Sequence, residues 1–550
     1  MHESPQRDAL INGLQGWLRV FESHAPGDAH AQALLEELLE RDAALRAARQ
    51  TFLMTHLDTN GNRTVASPAA LRANLASNPD EAARRSSHDA LHALERWVLD
   101  SDFLRIVAKR NALARAHGFR DFFEYRLRTN SAMTPQQLFA SFERFEQMTR
   151  ATQRTMLAQL AARHGPQALQ PHNLTYRLRE ASAASDADYF PFASALERWA
   201  ETFTRMGVSY RGAQVTIDLL DRPGKFPTGF CIAPVPAYVD DVDGWMPTDV
   251  RFTTVGRPMQ PGAGLQALKV LFHEAGHAAH LANVARNSPC FSQEFSPMTP
   301  ELLEAQAKFF DALPADPCWL KRYATDAHGN AMPDALIRDR QAAAQANLVH
   351  TERRDLVTPQ FEAALYRMHD DERTPERVLD VLRQITHDVL GIAGHTDYVL
   401  ATPHPVFHDS AVYYHGYLLA KMAAAQTRAA LTQQLGHIVD NPAVGPLLTK
   451  HCWQHGNAIT LDDALRSLTG NALSSDALAD ECNRSADDAW QRAEAAIRSL
   501  DRQPASVTRD ADLDAHISIV HGAQVVATNA DSMQTMLRDV NAWLARQHAQ

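Results

Sequence analysis

Apolar residues recur at three- and four-residue spacing through most of this 550-residue chain. The pattern runs from Asp8 to about residue 205 and returns from Leu265 to about residue 500, as in ALLEELLERDAALRAARQTFL. Such spacing places the apolar side chains on one face of an α-helix, so both stretches are predicted to be helical. The chain must therefore pack many amphipathic helices together, and 45% hydrophobic residues are enough for a large core.

The residues between the two helical stretches have a different composition. Between about residues 208 and 255, runs rich in β-branched and aromatic residues are broken by Pro and Gly, which predicts a small β-sheet. After residue 500, RQPASVTRDADLDA is predicted to be a linker before a last helix, SMQTMLRDVNAWLARQ. We therefore predict a mainly α fold with an N-terminal helical lobe (1–205), a central region (206–500) and a C-terminal linker and helix (501–550).

Charge and cysteine content limit what the chain binds and where it works. Its 54 Lys and Arg against 65 Asp and Glu give a formal net charge of −11, so we expect no nucleic-acid or anionic-membrane partner. The five cysteines are scattered with no CxxC pair, which indicates reduced thiols and a cytoplasmic location. The N-terminal residues lack the apolar core of a secretory signal, and no apolar run of about 18 residues predicts a membrane span.

One predicted helix carries the strongest chemical motif of the chain. The segment GLQALKVLFHEAGHAAHLANVAR keeps helical periodicity and contains HExxH as residues 273–277. His273 and His277 lie four residues apart on one helical face, so both imidazoles can bind one metal ion, and zinc suits them best. Glu274 is angled aside and can take a proton from a metal-bound water molecule. The apolar neighbours of the motif indicate a buried helix.

A catalytic zinc ion needs a third protein ligand, and three downstream carboxylates are candidates. Glu294, Glu301 and Glu304 lie in SQEFSPMTPELLEAQAKFFD, where Thr299-Pro300 predicts the start of a helix. Glu304 lies one turn into that helix among apolar residues, where an unpaired carboxylate would be unfavourable. Glu304 is therefore the predicted ligand, and Glu294 and Glu301 remain alternatives.

A third segment is rich in phenol and imidazole side chains. HTDYVLATPHPVFHDSAVYYHGYLLAKMA contains His404, His408, Tyr413, Tyr414 and Tyr417. Tyr414 and Tyr417 are three residues apart and share a helical face. Phenol hydroxyls aimed at a carbonyl oxygen that gains negative charge would stabilise a tetrahedral intermediate. Aromatic side chains at helical spacing are otherwise most often part of a core.

In their order along the chain, these motifs resemble the thimet oligopeptidase and oligoendopeptidase F family of zinc peptidases. The similar segments are NALARAHGFRDFFEY (111–125), GKFPTGFCIAP (224–234), LFHEAGHAAH (271–280) and YYHGYLLA (413–420). In that family the third ligand is a Glu in an E-x-x-S/A-x-x-x-acid context, which the run from Glu304 to Asp311 matches. The resemblance covers roughly residues 100–500 and implies a mainly α, two-lobed enzyme with a deep channel and a small β-sheet next to the zinc site.

The resemblance also implies the metal chemistry and the kind of substrate. His273, His277 and Glu304 would bind one zinc ion per chain, and Glu274 would be the general base. The substrates would be short unstructured oligopeptides, because the channel of such enzymes excludes folded proteins. The segment from Thr228 to Val255 would pair an edge strand with the substrate backbone, and main-chain pairing of this kind tolerates many sequences.

The same resemblance implies functional roles for residues of the tyrosine segment. Tyr414 and Tyr417 would correspond to the substrate-carbonyl tyrosines of the family, and His404 to its substrate-binding histidine. His408 and Tyr413 are further candidates for substrate binding. The sequence departs from the family just before the tyrosines, where FHDSAV replaces the glycine-rich loop that several members have.

Two other functions remain open at this point. An HExxH helix does not determine whether an enzyme cuts inside a peptide or trims its end, so a zinc carboxypeptidase or dipeptidase is one alternative to the endopeptidase. A non-catalytic helical interaction protein, in which the histidines are structural, is the other. The sequence does not predict the oligomeric state.

Overall fold

The computed structural model is mainly helical, with 66% of it in helices, which confirms the predicted fold class. The structure describes residues 5–24, 28–58, 60–180, 186–222, 225, 228–258, 263–291, 298–394, 396–502 and 511–548. The helices begin with α1 (Pro5–His24), α2 (Ala29–Thr51), α3 (Pro68–Ser77), α4 (Glu81–Asp100), α5 (Phe103–Ala116), α6 (Phe122–Ser131), α7 (Pro135–His164), α8 (Pro171–Glu180) and α9 (Ala195–Arg205). They continue with α10 (Ala263–Ala282), α11 (Pro300–Asp311), α12 (Pro317–Tyr323), α13 (Asp334–Arg354), α14 (Val357–Arg367), α15 (Pro375–Leu390), α16 (Pro403–Val406), α17 (His415–Leu435), α18 (Val444–His451), α19 (Leu461–Thr469), α20 (Asp476–Asn483), α21 (Ala486–Asp501) and α22 (Met533–His548).

Several of these helices begin where the sequence supplies a capping side chain. The Thr134 hydroxyl and the Gln137 side chain form a reciprocal capping box at the start of α7. Asp80 caps α4 by accepting two backbone N–H groups of its first turn. Helix α11 begins at Pro300, directly after Thr299, as the Thr-Pro pair predicts. Local sequence therefore determines where the helix of the predicted third ligand begins.

The buried apolar side chains form two cores. The N-terminal core joins α2 to α8 with α14 to α16, α20 and part of α13, and the sheet core joins a β-sheet with α9 to α12, α18, α19, α21 and α22. Helix α17 belongs to both, because Leu418 and Met422 lie in the N-terminal core whereas Ala420 and Ala423 lie in the sheet core. The start of α17, where the predicted tyrosines lie, is therefore at the junction of the two cores.

The predicted small sheet is present. The strands found among the described residues are β1 (Thr55–Leu57), β2 (Arg63–Val65), β3 (Ala213–Leu220), β4 (Phe230–Val235), β5 (Tyr238–Asp240), β6 (Gly244–Met246), β7 (Asp249–Gly256), β8 (Ala515–His521) and β9 (Gln524–Thr528). The main sheet has the order β4-β7-β3-β8-β9. Strands β7 and β8 run parallel to β3 on its two sides, whereas β4 and β9 are antiparallel to their neighbours and form the edges.

The C-terminal region contains more structure than the sequence analysis predicted. The predicted last helix is present as α22, but the β-hairpin of β8 and β9 was not predicted. Strand β8 pairs with β3, and Ala515 lies opposite Ala213 at the start of the pairing. Residues 503–510 of the predicted linker lie outside the described residues. The division into three regions at residues 205 and 500 stays a prediction. The two cores are not contiguous in sequence, because α14 to α16 pack with the N-terminal helices.

The cysteines and the apolar content of the helices complete the description of the fold. All five cysteines are free thiols, of which Cys290 is exposed and the other four are buried. Among the helices of the described ranges, none combines the length and the apolar character needed to cross a bilayer.

Candidate active site

Close packing of α10 against α11 brings the predicted metal ligands together. Gly276, inside the HExxH motif, faces α11 so closely that a Cβ there would lie 3.0 Å from Phe310 Cδ2 and 3.1 Å from the Ala307 Cα. A larger residue would separate the two helices. The glycine therefore allows the histidine face of α10 to meet the Glu304 face of α11.

Three side chains from these helices form a cluster suited to a metal ion. Ligand atoms of His273, His277 and Glu304 all lie within 4.8 Å of one another, and His273 Nε2 is 3.5 Å from Glu304 Oε2. Donors about 2 Å from a tetrahedral zinc ion lie roughly 3.3 Å apart, so small movements complete the site. Within the described ranges, this is the one group of three His, Cys, Asp or Glu side chains placed to hold a metal ion.

Asp311 fixes the orientation of the His273 ring. Its Oδ2 atom lies 3.0 Å from His273 Nδ1 and 2.9 Å from Lys308 Nζ. Burial would raise the pKa of Asp311, but the contacts with His273 and Lys308 hold it at about 2. The ionised carboxylate only accepts hydrogen bonds, so His273 Nδ1 is the donor and Nε2 faces Glu304. The ring is thereby held in the tautomer that a metal ligand needs.

The structure separates the three candidate carboxylates. Glu304 is buried beside His273, where its Oε1 atom accepts a hydrogen bond from the Tyr413 hydroxyl at 3.1 Å. Glu301 points elsewhere and accepts a hydrogen bond from the Ser131 hydroxyl at 3.0 Å. Glu294 lies outside the described residues. The geometry thus brings Glu304, and not Glu301, to the two histidines.

Glu274 occupies a tight, buried position next to the ligand cluster. The side chain is only 5% exposed, and burial raises the pKa of its carboxyl to about 7. Directly before β4, Gly229 leaves room for this carboxyl, since a Cβ there would lie 2.5 Å from Glu274 Oε1. A carboxyl with a pKa near neutrality can both accept and return a proton.

The tyrosines and one histidine form a second cluster at the start of α17. The His404 ring centroid lies 5.5 Å from that of Tyr414 and 6.0 Å from that of Tyr417, and the two tyrosine rings are 5.3 Å apart. Burial raises the pKa of both tyrosines, so their hydroxyls remain protonated donors. Burial lowers the pKa of His404, so its ring is neutral near pH 7. All three side chains are therefore uncharged and can form hydrogen bonds.

The other two candidates of this segment have different surroundings. The ring of Tyr413 lies 5.5 Å from that of Tyr417, and its hydroxyl reaches Glu304, so it joins the tyrosine cluster to the ligand cluster. The His408 ring lies 5.5 Å from the Phe122 ring, and its backbone N–H donates to Asp42. His404 is therefore the histidine found beside the tyrosines.

Some residues of the site received no role from the sequence. Asp311 and Lys308 lie on α11, and Asp311 follows Glu304 by two helical turns, so its position on the same face was the available signal. Gly229 gave no such signal, because its closeness to Glu274 depends on how the sheet packs against α10.

A buried HExxH helix with a carboxylate from the next helix defines a metallopeptidase. The chain belongs to peptidase family M3, whose family model matches residues 74–484, and this confirms the resemblance seen in the sequence. Direct comparison with curated protein sequences finds no match.

Several solved structures of similar fold are peptidases. A putative oligoendopeptidase F is 15% identical, with 90% of this chain and 80% of that one covered at a TM-score of 0.56. PZ peptidase A, solved with an inhibitor, has the same identity and coverage and a TM-score of 0.58. Metallocarboxypeptidase 1 of Trypanosoma cruzi is 16% identical, with 89% and 85% covered and a TM-score of 0.52. At such identities these similarities establish the fold alone.

Proposed function

We propose that this metallopeptidase is a zinc-dependent endopeptidase that hydrolyses short unstructured oligopeptides. The observation that carries the proposal is that two clusters of side chains are in contact at the junction of the two cores. His273, His277 and Glu304 form one cluster, and the tyrosines at and just before the start of α17 form the other. The hydrogen bond from Tyr413 to Glu304 links them. A scissile carbonyl group between the two clusters would face the predicted metal ligands on one side and the tyrosine hydroxyls on the other.

The donor set fits zinc. Two imidazoles and one carboxylate are a common ligand set of catalytic zinc, and they leave a position open. Glu304 Oε2 is buried and accepts no hydrogen bond from the described residues, an arrangement that a bound cation would stabilise. When bound, a zinc ion supplies Lewis acidity toward water and the substrate carbonyl. The proposal is for one ion per chain, held by His273, His277 and Glu304.

The chain's own groups would then carry the proton transfer and the charge stabilisation. Glu274 takes the proton of the attacking water molecule and returns it to the leaving amine. Tyr414 and Tyr417 donate hydrogen bonds to the oxygen of the scissile carbonyl as negative charge develops there. His404, neutral and beside both tyrosines, donates to or accepts from the substrate backbone.

Strand β4 supports broad acceptance of peptide sequences. It forms an edge of the main sheet next to Glu274, and Phe230, Ile232 and Val235 on it are exposed. An extended peptide can add to such an edge through main-chain hydrogen bonds, which do not depend on its side chains. We retain the predicted cytoplasmic location, and the absence of nucleic-acid and membrane partners, as parts of the proposal.

A carboxypeptidase is the second candidate. The observation that favours it is the similarity of fold to metallocarboxypeptidase 1 of Trypanosoma cruzi and to an M32 carboxypeptidase of Deinococcus radiodurans. The non-catalytic alternative is not retained, because the chain belongs to a peptidase family.

Peptides with protected ends distinguish the two candidates. The zinc-loaded protein is incubated with an internally quenched peptide that is acetylated at one end and amidated at the other, and the products are weighed by mass spectrometry. An endopeptidase cleaves inside this peptide, and a chelator stops the reaction until zinc is returned. Cleavage only of the same peptide with a free C-terminus, one or two residues from that end, would overturn the endopeptidase proposal.

A further inference from the structure

The turn before the catalytic tyrosines has an unfavourable backbone conformation. Val412 has a φ of +60° and is only 1% exposed. Residues with a branched Cβ rarely adopt a positive φ, because the side chain collides with the backbone, whereas glycine adopts it readily. Tyr413 and Tyr414 follow immediately. Strain of this kind persists only where the surroundings hold it in place, and it is often found next to functional groups.

A buried carboxyl group holds Val412 in this conformation. The backbone N–H of Val412 donates to Glu362 Oε1 at 2.7 Å, and Glu362, on α14, is only 2% exposed. The N–H groups of Ser410 and Ala411, just before Val412, donate to the Phe407 carbonyl oxygen, whereas the N–H of Val412 donates to a side chain. A side chain from the N-terminal core therefore supplies the partner that the backbone needs.

Two more charged side chains bind the same stretch of backbone. Arg110, on α5, donates to the carbonyl oxygens of Pro405 and Val406 at 3.2 and 2.8 Å. Asp42, on α2, accepts the N–H of His408 at 2.8 Å. With Glu362, three helices of the N-terminal core thus hold residues 405–412, which we call the clamped turn.

We infer that Glu362 is a positioning residue that fixes the clamped turn and thereby presents the tyrosines to the ligand cluster. The inference rests on the proposed function of Tyr414 and Tyr417. The clamped turn joins His404 to Tyr413, and Tyr413 in turn bonds Glu304. Fixing the turn therefore fixes the distance between the hydrogen-bond donors and the metal side of the site. The donors are in place before substrate arrives, so no ordering of this turn is needed during catalysis.

A matched pair of substitutions at Val412 separates positioning from simple stability. Val412→Ala and Val412→Gly both remove the buried isopropyl group and keep the backbone N–H that donates to Glu362, but only glycine also relieves the positive φ. We expect Val412→Gly to melt at a higher temperature than Val412→Ala and to have the same kcat within about twofold, because Glu362 still holds the turn. A kcat of Val412→Gly at least about fivefold below that of Val412→Ala would show that the restricted backbone of residue 412, and not Glu362, positions the tyrosines, and would overturn the inference.

A second pair tests the carboxyl group itself. Glu362→Gln keeps an oxygen that can accept the Val412 N–H, whereas Glu362→Leu fills similar space without one. We expect Glu362→Gln to retain kcat within about threefold and Glu362→Leu to lose at least about tenfold. Amide hydrogen exchange of the peptide covering 407–414 is expected to be at least about tenfold faster in Glu362→Leu, with the peptide covering α10 unchanged. Unchanged exchange in 407–414 would overturn the inference even if Glu362→Leu were inactive.

The exchange measurement also separates this inference from the proposed function. If zinc-loaded wild type cleaves no peptide, the proposed function fails, whereas protection of residues 407–414 by Glu362 is still measured. If wild type cleaves peptides and Glu362→Leu equals Glu362→Gln both in kcat and in the exchange of residues 407–414, only the positioning role fails.

Discussion

The two sides of the active site are built in different ways. On the metal side, His273 and His277 lie on one helix and Glu304 on the next, so helical periodicity sets their directions. On the tyrosine side, Tyr413 and Tyr414 follow the clamped turn, whose conformation depends on side chains from α2, α5 and α14. Helical periodicity therefore sets the direction of each predicted ligand on its own helix, whereas the positions of Tyr413 and Tyr414 depend on contacts between segments that lie far apart in the chain.

The metal side gives the largest expected effect. Glu304→Gln removes the charged ligand, and we expect zinc affinity to fall at least about 100-fold and peptide cleavage by roughly 10³-fold at limiting zinc. Glu301→Gln is the matched control, since Glu301 lies on the same helix but bonds Ser131, and it is expected to keep one zinc ion per chain. Atomic absorption and a quenched-peptide assay measure both. The reverse outcome, zinc lost in Glu301→Gln and kept in Glu304→Gln, would make Glu301 the ligand.

The tyrosine side is expected to affect turnover without affecting metal content. Tyr417→Phe removes one hydroxyl donor, and the loss of a single donor to a developing oxyanion lowers kcat by about 10²–10³-fold. Zinc content and melting temperature are expected to stay near wild type, which separates the two sides of the site. A Tyr417→Phe enzyme with unchanged kcat but raised KM would show that the hydroxyl stabilises the bound substrate as much as the transition state.

The contact of Asp311 with His273 gives a smaller effect on the metal side. Asp311→Asn can no longer hold the ring through an ionised acceptor, and we expect a 10- to 100-fold loss of zinc affinity or activity, the range typical of residues that orient metal ligands. Asp334→Asn is a suitable control, because Asp334, on α13, pairs with Lys321 and is not part of the ligand cluster. Zinc titration with a chromophoric chelator measures the difference. Equal affinities in the two variants would remove Asp311 from the site.

The same comparison explains how much could be predicted from the sequence. HExxH was sufficient to place His273 and His277 on one helical face, and the Thr299-Pro300 helix start and the apolar neighbours of Glu304 favoured that carboxylate, because each is a local signal. The sequence left Glu301 open, because the choice depends on how α11 packs against α10. The mainly α fold and the small sheet were also predicted from periodicity. The links from Asp42, Arg110 and Glu362 to the clamped turn could not be predicted, because the partners lie far apart in the chain. The hairpin of β8 and β9 was missed for a related reason, since its pairing with β3 joins distant segments.

Substitution of Glu274 separates metal binding by His273 and His277 from proton transfer. Glu274→Gln keeps the size of the side chain and leaves the three predicted ligands intact, so we expect one zinc ion per chain and the loss of nearly all cleavage of a quenched peptide. Cleavage at the wild-type rate by Glu274→Gln with its zinc in place would show that Glu274 is not the general base.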